Sequence, residues 1–318
     1  MKVLHKEILL AIFLGMVVPS VMLSILVKPG EGVIPATEPI TVATESTISA
    51  REISVLMADG TTQVMDLEEY LIGVVMGEMP ASFEMEALKA QAVVARTYTL
   101  KCAGVGVKHG ENTVCTDFSC CQAYVSPDGY GGSAEDYEKI SQAVADTAGQ
   151  VLTYNGKLIE ATYFSCSGGV TEDAVAVWGT DYPYLRSVES PGEESATYYT
   201  DEVFFTAEEF QNRLGRELSG SPGSWLGYTT YTAGDGVNTM RIGGVDYKGT
   251  EVRSLLGLRS TAFTMRAENG GITVATKGYG HRVGMSQYGA DAMALRGCDY
   301  EEILTHYYQG TTLTVYEN

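Results

Sequence analysis

The sequence predicts an α+β body of mixed helices and short strands or hairpins around a groove, preceded by an N-terminal transmembrane helix. A single long apolar run near the start, helical patterns soon after it, and scattered short strand patterns without regular βαβ alternation carry that prediction. With 318 residues and 45% hydrophobic composition, the chain has apolar surface for one sizeable core or two smaller ones.

The apolar run is Ile8–Val27, about the length that crosses a hydrocarbon layer as a helix. Lys2 and Lys6 precede it, no small-x-small cleavage site follows, and Lys28-Pro29 opens a polar stretch. Residues 1–28 therefore read as a cytoplasmic tip and retained signal anchor of a single-pass membrane protein; a cleaved signal peptide is the competing reading, and both export the body. Residues 29–50, rich in Pro, Thr, Glu and Gly, read as an extracytoplasmic linker, and 51–318 as the extracytoplasmic domain.

Glu52–Met57 and Gln63–Met65 flank Asp59-Gly60, a hairpin signal. Asp66 then reads as the N-cap of a helix, LEEYLIGVVMGEM, that must stop near Met79 because Pro80 disfavours helical geometry in the residue before it. Ser82 is a plausible cap for a second helix over roughly 84–102, rich in Ala, Gln and Leu. Thr206-x-x-Glu209 and Asp299-x-x-Glu302 have capping-box spacing, and Gly310 is suited to end the last helix. Ser260–Arg266 and Ile272–Thr276 read as strands around Asn269-Gly270-Gly271.

A net charge of −19 without a Lys/Arg cluster argues against nucleic acid as a partner. The residue with the most chemical promise is Glu78. It falls at a helix's last turn, beside Met76, Met79 and Pro80, where apolar neighbours and unpaired carbonyls both raise a carboxyl's pKa toward that of a working general acid. Glu84 and Glu86 open the next helix, where the dipole favours the ionised form. The competing reading of Glu78 is an exposed helix end.

The stretch YLIGVVMGEMPASFEMEALKAQAVVARTYTL closely resembles the stage II sporulation protein D family. In that family the glutamate before Met-Pro is the catalytic residue of a lytic transglycosylase, which implies Glu78 here. The resemblance continues through YFSCSGGVTEDAVAVWGTDYPYLRSVESPGE from Tyr163 and GYGHRVGMSQYGADAMALRG from Gly278, covering most of the chain from Arg51 to Glu317.

It favours Lys89 and Arg96 as substrate-binding residues. The pair lies about two helical turns apart, on one face with Ala92 between, where close helix packing or a solvated surface is the alternative. Tyr163, Ser165 and Ser167 offer hydroxyls beside Gly168-Gly169, where a bare backbone would admit a sugar ring; an ordinary turn is the alternative. Ser286 suits a helix cap with Gln287 toward a groove. Related members usually carry Gly-His-Gly-Val-Gly-Met, whereas Arg282 here stands between His281 and Val283, leaving the role of His281 open.

The implied reaction is non-hydrolytic cleavage of peptidoglycan glycan strands, denuded of stem peptides, to 1,6-anhydro-muramic ends during sporulation engulfment. The implied partners are a stage II sporulation protein P amidase and other engulfment membrane proteins, at the sporulation septum or engulfing membrane. Such a glycan is itself anionic, so contact with this chain needs local cations.

Six cysteines in an exported chain ordinarily suggest disulfides. However, His109, Cys115, Cys120 and Cys121 crowd one short segment and supply the donors of a closed tetrahedral zinc site. Some clostridial members of the family carry zinc in this segment, with a histidine where Cys120 stands. The expectation is structural Zn²⁺, with disulfides as the alternative, and no organic cofactor. Two rival functions remain: a non-catalytic glycan-binding activator of a cell-wall amidase, and a cysteine hydrolase using Cys166, His281 and an orienting Asp173.

Overall fold

The computed structural model describes residues 52–105 and 108–316; the predicted anchor and linker lie outside this range. Among the described residues, no helix is long and apolar enough to cross a membrane.

The hairpin read at Asp59-Gly60 forms from β1 (Glu52–Leu56) and β2 (Thr62–Asp66), closed by Gly60 at φ 83°. Asp66 caps α1 (Leu67–Glu78) by accepting from the Glu68 N–H at 2.8 Å, and Met79 leaves the helix in an extended conformation ahead of Pro80. Glu78 is thus the last residue of α1, as the proline requires. The second helix, α2 (Met85–Val105), begins immediately after Glu84, so Ser82 lies upstream of its cap position.

Then follow β3 (Val114–Cys115), α3 (Ala134–Asp146), β4 (Gln150–Tyr154), β5 (Lys157–Leu158), β6 (Tyr163–Phe164) and α4 (Ala174–Trp178). A second group comprises β7 (Thr200–Thr206), α5 (Ala207–Leu214), β8 (Leu226–Tyr231), β9 (Val237–Ile242), β10 (Val245–Lys248), α6 (Gly249–Leu256), β11 (Ala262–Glu268) and β12 (Gly271–Lys277). The chain closes with β13 (Met285–Ser286), α7 (Gln287–Leu295), α8 (Tyr300–Tyr307) and β14 (Thr312–Val315).

The capping boxes at Thr206/Glu209 and Asp299/Glu302 form as read. Helix α8 stops at Tyr307, before Gly310, whose φ of 69° instead turns the chain toward β14.

Two cores result. One gathers α1, α2, α3, α7 and α8 around side chains such as Tyr70, Leu88, Val93, Ile140 and Tyr307. Helix α2 is its axis: Ala87, Leu88, Ala90, Gln91, Ala92, Val93, Val94 and Ala95 are fully buried, the mark of a helix enclosed on all sides. The other core, from Phe205 to Val274, is built on sheets β11-β12-β7 and β10-β9-β8 with α5 and α6.

After β12 the chain re-enters the first unit, where β13 pairs in parallel with β6 (Met285 opposite Tyr163, Ser286 opposite Phe164). That pairing brings residues far apart in sequence to one wall.

Candidate active site

A cleft of about 550 Å³ opens beside Glu78, walled by both units. Helix α1 supplies Glu78 and Gly77, β6 and the residue after it supply Tyr163 and Ser165, the start of α7 directly after β13 supplies Gln287, and α6 of the second unit supplies Arg253. Phe118 and Tyr279 contribute exposed aromatic surface, Phe118 being 70% exposed, and the buried Phe164 also lines the cleft.

Glu78 carboxyl oxygens are well partnered. The Ala123 backbone N–H donates to Oε1 at 2.6 Å, and Gln287 Nε2 donates to Oε2 at 3.3 Å. The Tyr163 hydroxyl donates to Gln122 Oε1 at 3.2 Å and faces the Glu78 carboxyl, whose charge adds to burial in raising the Tyr163 phenol's pKa. Burial pushes the Glu78 pKa up, while these donors, with Ala123 foremost, pull it back. The result is a half-sequestered carboxyl that holds its proton above the usual carboxylate range. Among the described residues lining the cleft, Glu78 is the sole carboxylate.

Ala123 reaches Glu78 because α1 is smooth on that side. A Cβ on Gly77 would lie 3.0 Å from the Ala123 carbonyl carbon and the Tyr124 nitrogen, and one on Gly73 would collide with the Tyr124 ring. The Val125 N–H donates to the Gly73 carbonyl at 3.0 Å, laying this segment along the helix.

The residues read from the sequence divide. Tyr163, Ser165 and Gln287 line the Glu78 cleft. Lys89 and Arg96 do not: Lys89 pairs with Glu86 and Asp146, and the Arg96 guanidinium is fully buried, bound to both oxygens of Glu68 and to the carbonyls of Val144 and Gln150. Arg96 turns into the packed interior, while Lys89 stays part-exposed in its two ion pairs.

Ser167 is also buried, its N–H and hydroxyl both held by Glu193, and Gly168 packs against Lys277 and Gly278. This is the turn alternative, in place of a sugar contact.

The Cys166 hydrolase is not assembled. Cys166 is buried with its thiol pushed up to about 11 by burial, and its Sγ donates to the Tyr198 carbonyl. His281 is wedged between Phe164 and Trp178, accepts from the Val283 N–H at Nδ1, and is pushed down to about 4 by burial and by Arg253. Asp173 accepts from the Ser187 N–H, and among the described residues no hydrogen bond joins it to His281.

Arg282, the departure from the usual glycine, occupies φ 66°, where glycine is the unstrained choice. Its buried guanidinium compensates by donating to the carbonyls of Ser167, Val170 and Gly234.

His109, Cys115, Cys120 and Cys121 come together, their donor atoms all within 4.8 Å of one another. His109 Nε2 lies 3.2 Å from Cys121 Sγ and 3.5 Å from Cys120 Sγ. These separations approach the edges of roughly 3.5–3.8 Å that follow from tetrahedral metal–sulfur and metal–nitrogen bonds. The group can hold a metal ion, and its cysteines are not in disulfides. Cys121 also lines the cleft, two positions before Ala123.

Arg253, Ala123 and Tyr279 were not legible as site residues. Ala123 acts through its backbone, which no side-chain pattern announces, and Arg253 comes from the other core.

The family model described as "Stage II sporulation protein" matches residues 59–154, which span α1, α2 and the His/Cys segment. Stage II sporulation protein D of Bacillus subtilis is 42% identical over 88% of this chain and 84% of its own length. Its counterpart in Bacillus amyloliquefaciens is 41% identical over 85% and 81%. An amidase enhancer of Bacillus subtilis is 32% identical over 77% of this chain, which corresponds to 40% of that protein.

Proposed function

We infer, because the chain belongs to the stage II sporulation protein D family, that it is a lytic transglycosylase acting on peptidoglycan glycan strands, with Glu78 as both acid and base. The observation that carries this reading is a lone part-buried carboxyl with a raised pKa in an aromatic-walled cleft.

Glycoside hydrolysis generally uses two carboxyl groups, one for the leaving oxygen and one for water or the sugar. A cleft lined by one carboxyl suits a reaction whose nucleophile belongs to the substrate. Protonated Glu78 gives its proton to the glycosidic oxygen as the C1–O bond breaks. The muramyl C6 hydroxyl then bonds to C1, and the Glu78 carboxylate takes that hydroxyl's proton. The products are a 1,6-anhydro-muramyl end and a chain with a new hydroxyl, and Glu78 returns to its starting state. Ala123 and Gln287 stabilise the carboxylate midway, while Tyr163 fixes its orientation.

His109, Cys115, Cys120 and Cys121 would hold Zn²⁺ as a closed structural site. When bound, the ion supplies cross-linking of the loop and no open position for water. Through Cys121 it would steady the segment that carries the Ala123 N–H.

An amidase-activating role has the amidase-enhancer relative in its favour; the partnered, proton-holding carboxyl favours catalysis. The body would act outside the membrane, tethered by residues 1–28, on strands from which an amidase has stripped the stem peptides. Glu78→Gln separates the readings: the substituted chain should bind denuded strands and leave them intact. Cleavage by the pure variant would remove Glu78 from its role.

A further inference from the structure

We propose that Arg253 is the specificity residue of the Glu78 cleft, its guanidinium receiving the free lactyl carboxylate of a muramyl unit. The inference rests on the lytic-transglycosylase reading for its substrate class.

The chain carries 40 Asp and Glu against 21 Lys and Arg, and most of its guanidinium groups find a carboxylate. Arg96 pairs with Glu68, Arg241 with Asp246, Arg259 with Asp201 and Arg266 with Glu202. Arg253 has no such partner among the described residues. Its Nε donates to the Leu258 carbonyl at 3.3 Å, which fixes the plane of the group just beyond the end of α6. The terminal nitrogens make no protein hydrogen bond, nor are they sealed, and the residue lines the cleft as its sole cationic side chain among the described residues.

Burial already disfavours the charge on Arg253, and that charge in turn helps keep His281 neutral. A part-buried guanidinium whose terminal nitrogens have no protein acceptor is suited to a planar anion, because a carboxylate accepts two parallel N–H bonds from it.

The glycan offers that anion at one place. N-acetylglucosamine is neutral, whereas muramic acid bears a lactyl ether ending in a carboxyl. With a stem peptide attached, this carboxyl is an amide and carries no charge. Once the peptide is gone, it is a carboxylate on the ring whose glycosidic oxygen Glu78 protonates. Arg253 thereby reads whether the peptide has been removed.

The test uses the full-length chain with Glu78→Gln to prevent turnover, with and without Arg253→Gln, and measures binding of three tetrasaccharides. One is denuded and contains muramic acid, one carries stem peptides, and one contains only N-acetylglucosamine. Arg253→Gln should weaken the first by on the order of ten- to a hundredfold, the loss of a charge-assisted pair. Binding of the other two should be unchanged, and Arg253→Lys should restore part of the loss.

Equal weakening of all three would make Arg253 a structural residue. Weakening of the peptide-bearing sugar would transfer the contact to peptide carboxylates, and no weakening would remove Arg253 from recognition. Each of these overturns the proposal. If the otherwise unaltered chain bound denuded strands through Arg253 without cleaving them, the catalytic reading would fall and this one would stand.

Discussion

The backbone N–H of Ala123 donates to Glu78 Oε1 at 2.6 Å, tying the segment after Cys121 to the last residue of α1. One short bond thus links a candidate metal loop to the candidate acid. Its consequences can be measured separately.

The raised pKa of Glu78 has a definite sign in both activity and stability. Cleavage needs the protonated acid, so the rate should fall as pH rises through the Glu78 pKa, which lies above that of an ordinary carboxyl. Folding tightens this proton, so the contribution of Glu78 to stability is full below the unfolded carboxyl's pKa and declines as pH rises toward the folded value. Glu78→Gln removes that decline. Urea midpoints should show it gaining on the unsubstituted chain from acid to neutral pH, and a parallel pH dependence for both would contradict the burial argument.

Gln287 pulls the Glu78 pKa down through its Nε2 donor at 3.3 Å. Gln287→Met keeps the bulk and removes the donor. Its alkaline activity limb should shift to higher pH, with kcat lowered about tenfold or more by the loss of a hydrogen bond to a charged group. An unshifted limb with unchanged kcat would separate Gln287 from Glu78.

Metal removal tests the link through Ala123. Stripping the ion with a chelator should lower Tm and cleavage together, and zinc should restore both. Metal analysis of the purified chain must find about one ion, as four donors in one closed site require. A metal-free chain with Cys115 in a disulfide would remove the site.

Gly77→Val places a branched side chain where even a Cβ meets the Ala123 and Tyr124 backbone at 3.0 Å. The segment must then move off α1 and carry the Ala123 N–H with it. Cleavage should fall more than stability does, as judged by rates at temperatures well below the variant's Tm. Full activity would mean that this bond is dispensable.

Arg96→Met should behave as a core lesion. It removes the guanidinium donor to the carbonyls of Val144 and Gln150 and breaks the pair with Glu68, at a cost of about 2–4 kcal/mol, moderated because Glu68 is part-exposed and Val144 still accepts from Thr147. Activity per folded molecule should hold, whereas a loss of glycan affinity at unchanged stability would return Arg96 to the substrate.

How far the sequence revealed this arrangement depended on the range of the interactions. The Asp59-Gly60 and Asn269-Gly270 turns, the Asp66 cap and the Pro80 stop are local, and they formed as read. The Lys89–Arg96 spacing held no information about what would cover that helix face; Arg96 became interior against Glu68, Val144 and Gln150, and Lys89 was taken up by Glu86 and Asp146 at the part-exposed edge. Ser167 misled for the same reason, its hydroxyl consumed by a glutamate that lies 26 residues away. Arg253 was beyond reach, since only the folding of a second core carries it to Glu78.

The account rests on a substrate hydroxyl, not water, opening the glycosidic bond under the control of Glu78. Mass analysis of products formed from denuded glycan in ¹⁸O-labelled water tests this most directly. The expected products end in 1,6-anhydro-muramic acid, lighter by one water than a reducing end, free of label and missing with Glu78→Gln. Reducing ends carrying ¹⁸O would contradict it.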